Sequence, residues 1–322
     1  MIYAPVIVPT LCRYEHFKRL VESLQANPLA IKTDLFIVLD YPAKEEHWEG
    51  YRLIADYCEN ITGFNKVVIT KRDHNCRGNK SDVLDYILNH YEGFIFTEDD
   101  NVFSPNFLEY IDKGLEKFKH DKSVLAILGY RPFYNIKFKD NNYYFSNVDF
   151  HAWGYGMWCD RRLTLNKEFN RKLFVKALFN PFAFFRVARN GWRKLRIFFM
   201  LLFAIDEKFV LYDTYISEYM SIKNMRCVNP TISKVRNEGW DNSGLHCNDR
   251  GKELEDKHMH QQIDDAEYFD YAGDGMNYFK HNHNAYVNET FNKVTFKQFI
   301  TFLPLRIMAW TWRSIKNLLS FH

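Results

Sequence analysis

Over its first 130 residues the chain alternates short apolar runs with stretches whose apolar residues recur every three or four positions. The short runs have the length and composition of buried strands, which predicts strands over 2–8, 35–39, 67–70, 94–96 and 124–128. The periodic stretches predict helices over 13–27 and 82–91, and a third helix capped by Ser104 with Pro105 at its first position. Such alternation is typical of a parallel sheet covered by helices. We therefore predict an α/β fold with a Rossmann-like, mostly parallel sheet.

Two later segments depart from this pattern because they are basic and aromatic. Residues 169–204 contain no Asp or Glu, and their cations interleave with Phe, Trp and Leu. The segment 295–322 has the same character, but Arg306 and Arg313 interrupt it too often for a bilayer span. This composition predicts helices that lie on an anionic membrane surface. Ordinary core aromatics beside a solvated cationic face are the alternative.

Composition narrows the class of protein and its compartment. The formal net charge of the 322 residues is only +3, so charge alone does not indicate a nucleic-acid-binding protein. The cysteines are scattered without a CxxC pair, which predicts free thiols in a reducing compartment. The N-terminus lacks the basic and apolar regions of an export signal and resembles a first strand. We therefore expect a cytoplasmic protein that does not bind nucleic acid.

Three consecutive acids, Glu98-Asp99-Asp100, directly follow the predicted strand 94–96. Ligands of open α/β sheets bind beyond the carboxyl ends of the strands, so the acids lie where a ligand is expected. Adjacent carboxylates repel one another unless a cation or hydrogen bonds offset the repulsion. Mg²⁺ and Mn²⁺ prefer oxygen ligands and are often held by one or two carboxylates plus substrate phosphates. The triplet is therefore a candidate metal-phosphate site, with a solvated acidic loop as the alternative.

The triplet and the segment after it, Pro105-Asn106-Phe107-Leu108-Glu109-Tyr110, carry a resemblance to a known enzyme family. This DXD-like arrangement resembles the GT-A glycosyltransferases, most closely the inverting N-acetylglucosaminyltransferase I group and its bacterial relatives. The resemblance covers about residues 2–250, apart from an insertion near 169–205. It implies a GT-A fold with acceptor-side additions and C-terminal helices. It also implies that Asp100 binds the metal ion, while Glu98 and Asp99 contact the sugar and ribose side of the donor.

The resemblance assigns further donor contacts near the first two strands. It implies that Pro9, Thr10 and Arg13, in the turn after the first strand, meet the donor. The permanently charged, forked guanidinium of Arg13 suits a diphosphate, although a surface Arg at the start of a helix is the alternative. Asp40 ends the second strand, where the family has an acid that binds the uracil ring.

Two glycine-containing segments complete the implied donor pocket. The turn 77–80 is similar to turns that approach the nucleotide, which implies donor contacts for Arg77 and Asn79, with a surface loop as the alternative. Trp153 and Gly154 belong to an aromatic-glycine segment that would floor the sugar pocket, because glycine permits close backbone approach and aromatic faces stack on sugars. A packed aromatic corner is the alternative.

The implied catalytic base lies further along the chain. Asp213, in a short aromatic setting before 226–233, matches the base of the family, and Asp206 and Glu207 are competitors for that role. His246 lies in a polar glycine loop that would close over the diphosphate, and a surface His is the alternative.

Together these features predict a metal-dependent inverting glycosyltransferase that uses Mn²⁺ or Mg²⁺. It would move a sugar from a UDP-sugar to a saccharide or lipid-linked saccharide, in polysaccharide biosynthesis at the inner face of a membrane. The predicted units are a nucleotide-sugar-binding half over 1–130 and a catalytic half over 131–250 that contains the basic insertion 169–205. The third unit is an extension over 251–322 with an amphipathic segment at 295–322. Two alternatives are a sugar-1-phosphate nucleotidyltransferase, whose Gly-rich loop the first turn lacks, and a degenerate transferase acting as a membrane-bound binding module.

Overall fold

The computed structural model describes residues 1–76, 81–133, 142–148, 150–204, 212–241, 252–277 and 295–319. Five of the residues considered above lie outside these ranges, namely Arg77, Asn79, Asp206, Glu207 and His246.

A nine-stranded mixed sheet forms the centre of the described structure, beside a small two-stranded sheet. The strands are β1 (Val6–Thr10), β2 (Asp34–Leu39), β3 (Lys66–Lys71), β4 (Gly93–Phe96), β5 (Asn101–Phe103), β6 (Val124–Leu128), β7 (Tyr143–Ser146), β8 (Tyr155–Trp158), β9 (Arg226–Pro230), β10 (Val235–Asn237) and β11 (Met276–Asn277). The order across the large sheet is β11-β7-β9-β6-β8-β4-β1-β2-β3, and β5 pairs with β10 in the small sheet. Most pairings in the large sheet are parallel, whereas β8 runs antiparallel to β4 and β6, and β7 runs antiparallel to β9.

The strands at the centre are buried on both faces. In β1, Val6 and Val8 enter one hydrophobic cluster, while Ile7 enters the cluster on the opposite face. Parallel strands covered on both sides are expected to be continuously apolar rather than alternating. This is why the strands were visible in the sequence as short apolar runs.

Helices cover both faces of the sheet. They are α1 (Tyr14–Gln25), α2 (Trp48–Cys58), α3 (Ser81–His90), α4 (Phe107–Lys117), α5 (Cys159–Glu168), α6 (Arg171–Leu178), α7 (Pro181–Ala188), α8 (Trp192–Ala204), α9 (Tyr212–Lys223), α10 (Lys252–Met259) and α11 (Phe296–Leu319). Side chains of α1, α2 and α4 pack in one cluster, and those of α3, α5 and α9 pack in the other. The predicted α/β fold class is confirmed by this arrangement.

Four helices, α6, α7, α8 and α11, form a helical subdomain with a core of its own. Phe174, Val187 and Phe198 are fully buried there, and Phe299 of α11 packs against them. The basic aromatic segment therefore supplies core residues as well as surface residues. None of the described helices combines the length and the apolarity needed to cross a bilayer.

The start of α4 differs from the prediction. Its N-cap is Asn106 rather than Ser104, and the helix begins at Phe107, after Pro105. The Ser104 hydroxyl donates to Asn106 Oδ1 at 3.0 Å, and the Ser104 carbonyl accepts from the Phe107 amide at 3.1 Å. The predicted cap was wrong because Ser104 is used in the turn that precedes the helix.

Candidate active site

The carboxyl ends of β1 and β4 bring the first turn against the acidic triplet. The two strands are parallel neighbours, so the residues after each strand meet at one edge of the sheet. Thr10 Oγ1 donates to Asp99 Oδ2 at 2.9 Å. The guanidinium of Arg13 donates through Nη2 to Asp99 Oδ1, and its Nη1 lies 2.9 Å from Asp100 Oδ2. Three predicted donor-site residues and the predicted metal ligand therefore form one contact network.

The last residue of β10 and the segment that follows it cover Asp100 from the other side. Asn237 Nδ2 donates to Asp100 Oδ1 at 2.7 Å, and the Glu238 amide donates to the Asp100 carbonyl at 2.8 Å. A Cβ atom on Gly239 would lie only 2.0 Å from Asp100 Oδ2. A side chain at position 239 would therefore displace the Asp100 carboxylate or the backbone that passes it.

Glu98 points toward the other predicted functional groups. Its Oε2 accepts a hydrogen bond of 3.1 Å from Trp153 Nε1. Asp213 lies at the start of α9, and its Oδ2 accepts from the Ala152 amide at 3.3 Å. Burial raises the pKa of Glu98 to about 8, with further increases from the charges of Asp100, Asp213 and Asp99. The carboxylate of Asp213 is therefore close enough to Glu98 to influence its charge.

The charges at the triplet are balanced chiefly by Arg13. Burial raises the pKa of Asp99, and the guanidinium of Arg13 acts against that increase. Burial alone would lower the pKa of Arg13, but the carboxylates of Asp99 and Asp100 more than offset it and raise that pKa. Arg13 thus stays charged and supplies the positive group that adjacent buried carboxylates need.

Asp40 lies on the opposite side of Thr10 from Asp99. Its backbone amide donates to the Thr10 carbonyl at 2.9 Å, which continues the β1–β2 pairing. Its buried Oδ1 accepts from the amides of Tyr41 and Cys76, at 2.9 and 2.8 Å. The carboxylate is thus held in a fixed orientation at the strand end. Pro9, the preceding residue of β1, is partly exposed at this edge.

Trp153 belongs to an aromatic cluster beside Glu98. Its ring packs edge-on against Tyr130 at 4.7 Å and against His258 at 5.5 Å between centroids. The His258 ring stacks on Trp240 at 4.0 Å. Gly154 has a positive φ of 64°, and a Cβ there would lie 2.8 Å from Val235 Cγ2. Packing against β10 therefore explains this glycine, and a donor contact for Gly154 stays a prediction.

A cavity of about 680 Å³ adjoins the aromatic cluster beyond the ends of β6 and β9. Its lining combines charged side chains of both signs, amides and hydroxyls with two apolar residues, and it includes Arg131, Phe133, Ile232, Asp256 and Gln261. Sequence patterns did not reveal it, because its walls come from segments far apart in the chain.

The residues at the triplet fit a divalent cation in their chemistry. In the part of the chain that the structure describes, no group of three or more His, Cys, Asp or Glu side chains forms a metal cage. A cation here would be held by Asp100, with Glu98 or Asp99 near it, plus oxygens of a bound diphosphate, a common arrangement for Mg²⁺. The Arg13 guanidinium already occupies the position of a cation against Asp99 and Asp100. For a divalent cation to bind at Asp100, the Arg13 guanidinium would have to turn away from the carboxylates and toward the bound diphosphate.

Two site residues on α1 were missed in the sequence. His16 Nε2 lies 3.1 Å from Asp241 Oδ2, and Arg19 Nε lies 2.9 Å from Glu238 Oε2. Both side chains hold the segment after β10 on α1. The spacing of Arg13, His16 and Arg19, three residues apart, places them along one face of the helix and could have indicated this role.

Comparisons with known proteins give a distant likeness. No protein-family model matches the chain, and no curated protein matches it. Residues 1–349 of S. aureus TarS are 13% identical, with 96% of this chain and 83% of that chain covered and a TM-score of 0.44. The mannosyltransferase PcManGT from Pyrobaculum calidifontis, in complex with GDP-Man and Mn²⁺, is 14% identical over 69% of each chain, with a TM-score of 0.36. A longer TarS structure is 15% identical to this chain, with a TM-score of 0.29. The match covers 44% of this chain and only 24% of that chain. At these values the likeness carries no argument about function.

Proposed function

We propose that this chain is a metal-dependent inverting glycosyltransferase of the GT-A type that uses a UDP-sugar. One observation carries the proposal: the ends of β1 and β4 join Arg13 to Asp99 and Asp100, while Glu98 faces Trp153 beside Asp213. This arrangement supports a diphosphate site at Arg13, a sugar-stacking ring at Trp153 and a candidate base at Asp213 around one edge of the sheet. The resemblance to the N-acetylglucosaminyltransferase I group supports the same assignment.

The donor would lie along the carboxyl end of the sheet. Asp40, held by two backbone amides, can accept the imide N–H of a uracil ring beside Thr10 and Pro9. Arg13 would turn from Asp99 and Asp100 to bind the diphosphate with its forked donors. Bound at Asp100, a divalent cation would neutralise the charge that develops on the leaving diphosphate. Arg77, Asn79 and His246 remain proposed donor contacts that lie outside the described residues.

Asp213 is the proposed general base. In an inverting transfer a base takes the proton of the acceptor hydroxyl while its oxygen attacks the anomeric carbon in line with the leaving group. The amide of Ala152 donates to Asp213, and the next residue, Trp153, donates to Glu98, which supports a base close to the proposed sugar-stacking ring. Burial and the neighbouring carboxylates raise the pKa of Glu98, which makes it a poorer candidate base. Asp206 and Glu207 stay as competitors.

The acceptor is proposed to be a saccharide or a lipid-linked saccharide at the cytoplasmic face of a membrane. The cavity near Arg131 and Gln261 offers space beside the aromatic cluster for such an acceptor. The two basic aromatic segments support peripheral association with an anionic membrane.

The proposal is tested by transfer or hydrolysis of a labelled UDP-sugar with Mn²⁺ present. Asp100→Ala should abolish transfer and weaken UDP binding in Mn²⁺, measured by calorimetry, with the fold retained in circular dichroism. Asp85→Ala, which changes an exposed acid of α3, is the matched control and should act like the parent. Near-parental transfer by Asp100→Ala, or no effect of chelator on the parent, would refute the metal-diphosphate assignment.

A second variant separates the base from the donor site. Asp213→Asn should reduce turnover by roughly two to four orders of magnitude while UDP affinity stays nearly constant, because the base acts on the acceptor. If the loss appeared instead in Asp206→Asn or Glu207→Gln, the base would lie there.

A further inference from the structure

The turn after α6 and the helix α7 together expose three phenylalanines to solvent. Phe179, Phe182 and Phe185 are 81%, 79% and 66% exposed. Phe179 follows α6 directly, and Phe182 and Phe185 lie three residues apart on one side of α7. Monomeric soluble proteins rarely leave large apolar side chains grouped in this way, and such groups mark surfaces that bind a partner.

Helix α11 adds an apolar stripe to the same subdomain. One face of α11 packs on α8, where the Trp192 ring lies 5.3 Å from that of Phe299. Phe296, Ile300 and Ile307 are exposed at helical spacing. The Trp192 ring also contacts Phe296 at 4.9 Å, so the stripe begins against the first residue of α8.

The charges of these segments are all positive. Lys172, Lys176 and Arg196 are exposed on α6 and α8, and the sequence from 169 to 204 has no acid. Helix α11 also has cations and no acid. In a symmetric dimer built on this surface, the cations of one copy would face those of the other. An anionic partner that accepts apolar side chains fits better.

We infer that the exposed residues of α6, α7 and α11 form a docking surface for an anionic lipid bilayer. We call the phenylalanines 179, 182 and 185 with Phe296, Ile300 and Ile307 the docking surface. Their rings and aliphatic chains enter the boundary between headgroups and acyl chains, while the neighbouring cations attract anionic headgroups.

Polar contacts connect the helices of the docking surface to α9, the helix that carries Asp213. Arg186 of α7 donates to the carbonyls of Ser221 and Ile222 at 3.2 and 2.6 Å. Lys194 of α8 is buried, and it contacts Ser217 and lies 3.8 Å from Glu218. These partners belong to α9, the helix that carries Asp213. At a rise of 1.5 Å per residue, Asp213 lies about 12 Å from Ser221 along that helix. Docking would therefore hold the proposed base at a fixed position relative to the bilayer.

Flotation of the whole protein with vesicles tests the inference. The vesicles contain phosphatidylcholine alone or phosphatidylcholine with phosphatidylglycerol. We expect binding to the anionic vesicles that weakens as salt is added, and little binding to the neutral ones. The triple variant F179S/F182S/F185S should lose at least about tenfold in partitioning. Ile31→Ser, which changes a residue that is 62% exposed far from the subdomain in the sequence, is the control and should bind like the parent.

A charge variant keeps the test valid if the triple variant fails to fold. Lys172→Gln with Lys176→Gln should weaken binding to anionic vesicles by about fivefold per cation removed. Parental binding by both variants, equal binding to neutral vesicles, or no binding by the parent would overturn the inference. Self-association in light scattering that the triple variant abolishes, without vesicle binding, would assign the surface to a second copy. UDP affinity, measured separately, reports on the proposed transferase site, so failure of docking and failure of that site are distinguishable.

Discussion

A change of pH tests the electrostatics of the acidic triplet. The pKa of Glu98 rises from an ordinary value of 4.5 to about 8, first through burial and then through the charges of Asp100, Asp213 and Asp99. Between these two values the folded protein binds a proton that the unfolded chain has lost. The contribution of this proton to stability is therefore fully present below the unfolded pKa and is lost as the pH rises through the folded pKa.

The size of the effect follows from the shift. As the pH rises from about 6 to about 9, the unfolding free energy falls only until the folded pKa is reached, which is about two pH units. At about 1.4 kcal/mol per unit, the loss is roughly 3 kcal/mol. Glu98 keeps some contact with solvent, which screens its charge. We therefore expect about 1 to 3 kcal/mol of unfolding free energy to be lost over this window.

Urea denaturation followed by tryptophan fluorescence, with chelator present, measures this loss. Because other groups titrate above pH 8, the informative quantity is the difference between the parent and Glu98→Gln, whose neutral amide can still accept from Trp153. That difference should fall by the stated amount between about pH 6 and about pH 9. Glu15→Gln, which changes an exposed acid of α1, is the matched control. A constant difference between the parent and Glu98→Gln would refute the electrostatic reasoning.

Three further predictions concern the site and the helical subdomain. Arg13→Lys keeps the charge but loses the forked donors, so UDP affinity in calorimetry should fall about tenfold, and an unchanged affinity would remove Arg13 from the donor site. Gly239→Ala should lower both turnover and melting temperature, because the new Cβ would lie 2.0 Å from Asp100 Oδ2; parental values would contradict this packing. Phe198→Ala, at a fully buried ring, should lower the unfolding free energy by about 3–5 kcal/mol, whereas Phe182→Ala, at an exposed ring, should change it by less than about 0.5 kcal/mol. Equal effects in urea would show that α8 lacks the core described.

The central strands and the acidic triplet could be predicted because their signals are local. Strands buried on both faces are short apolar runs, and β6 was predicted with its observed bounds. The position of the triplet after β4, and of Arg13 after β1, followed from the order of the elements alone. The antiparallel β8, however, lies between β4 and β6, and its four residues contain a glycine and aromatics with no alternation to detect.

Only the tertiary structure decided which distant residues share the site. Asn237 and Gly239 reach Asp100 because β10 pairs with β5, and no local pattern specifies that antiparallel pairing. The division of the basic segment into a buried Phe198 and an exposed Phe182 likewise depends on how α6, α7, α8 and α11 pack together. Local periodicity determines which elements form, because it arises from neighbours in the chain. Contacts between residues far apart in sequence depend on how the elements pack, which local patterns do not determine.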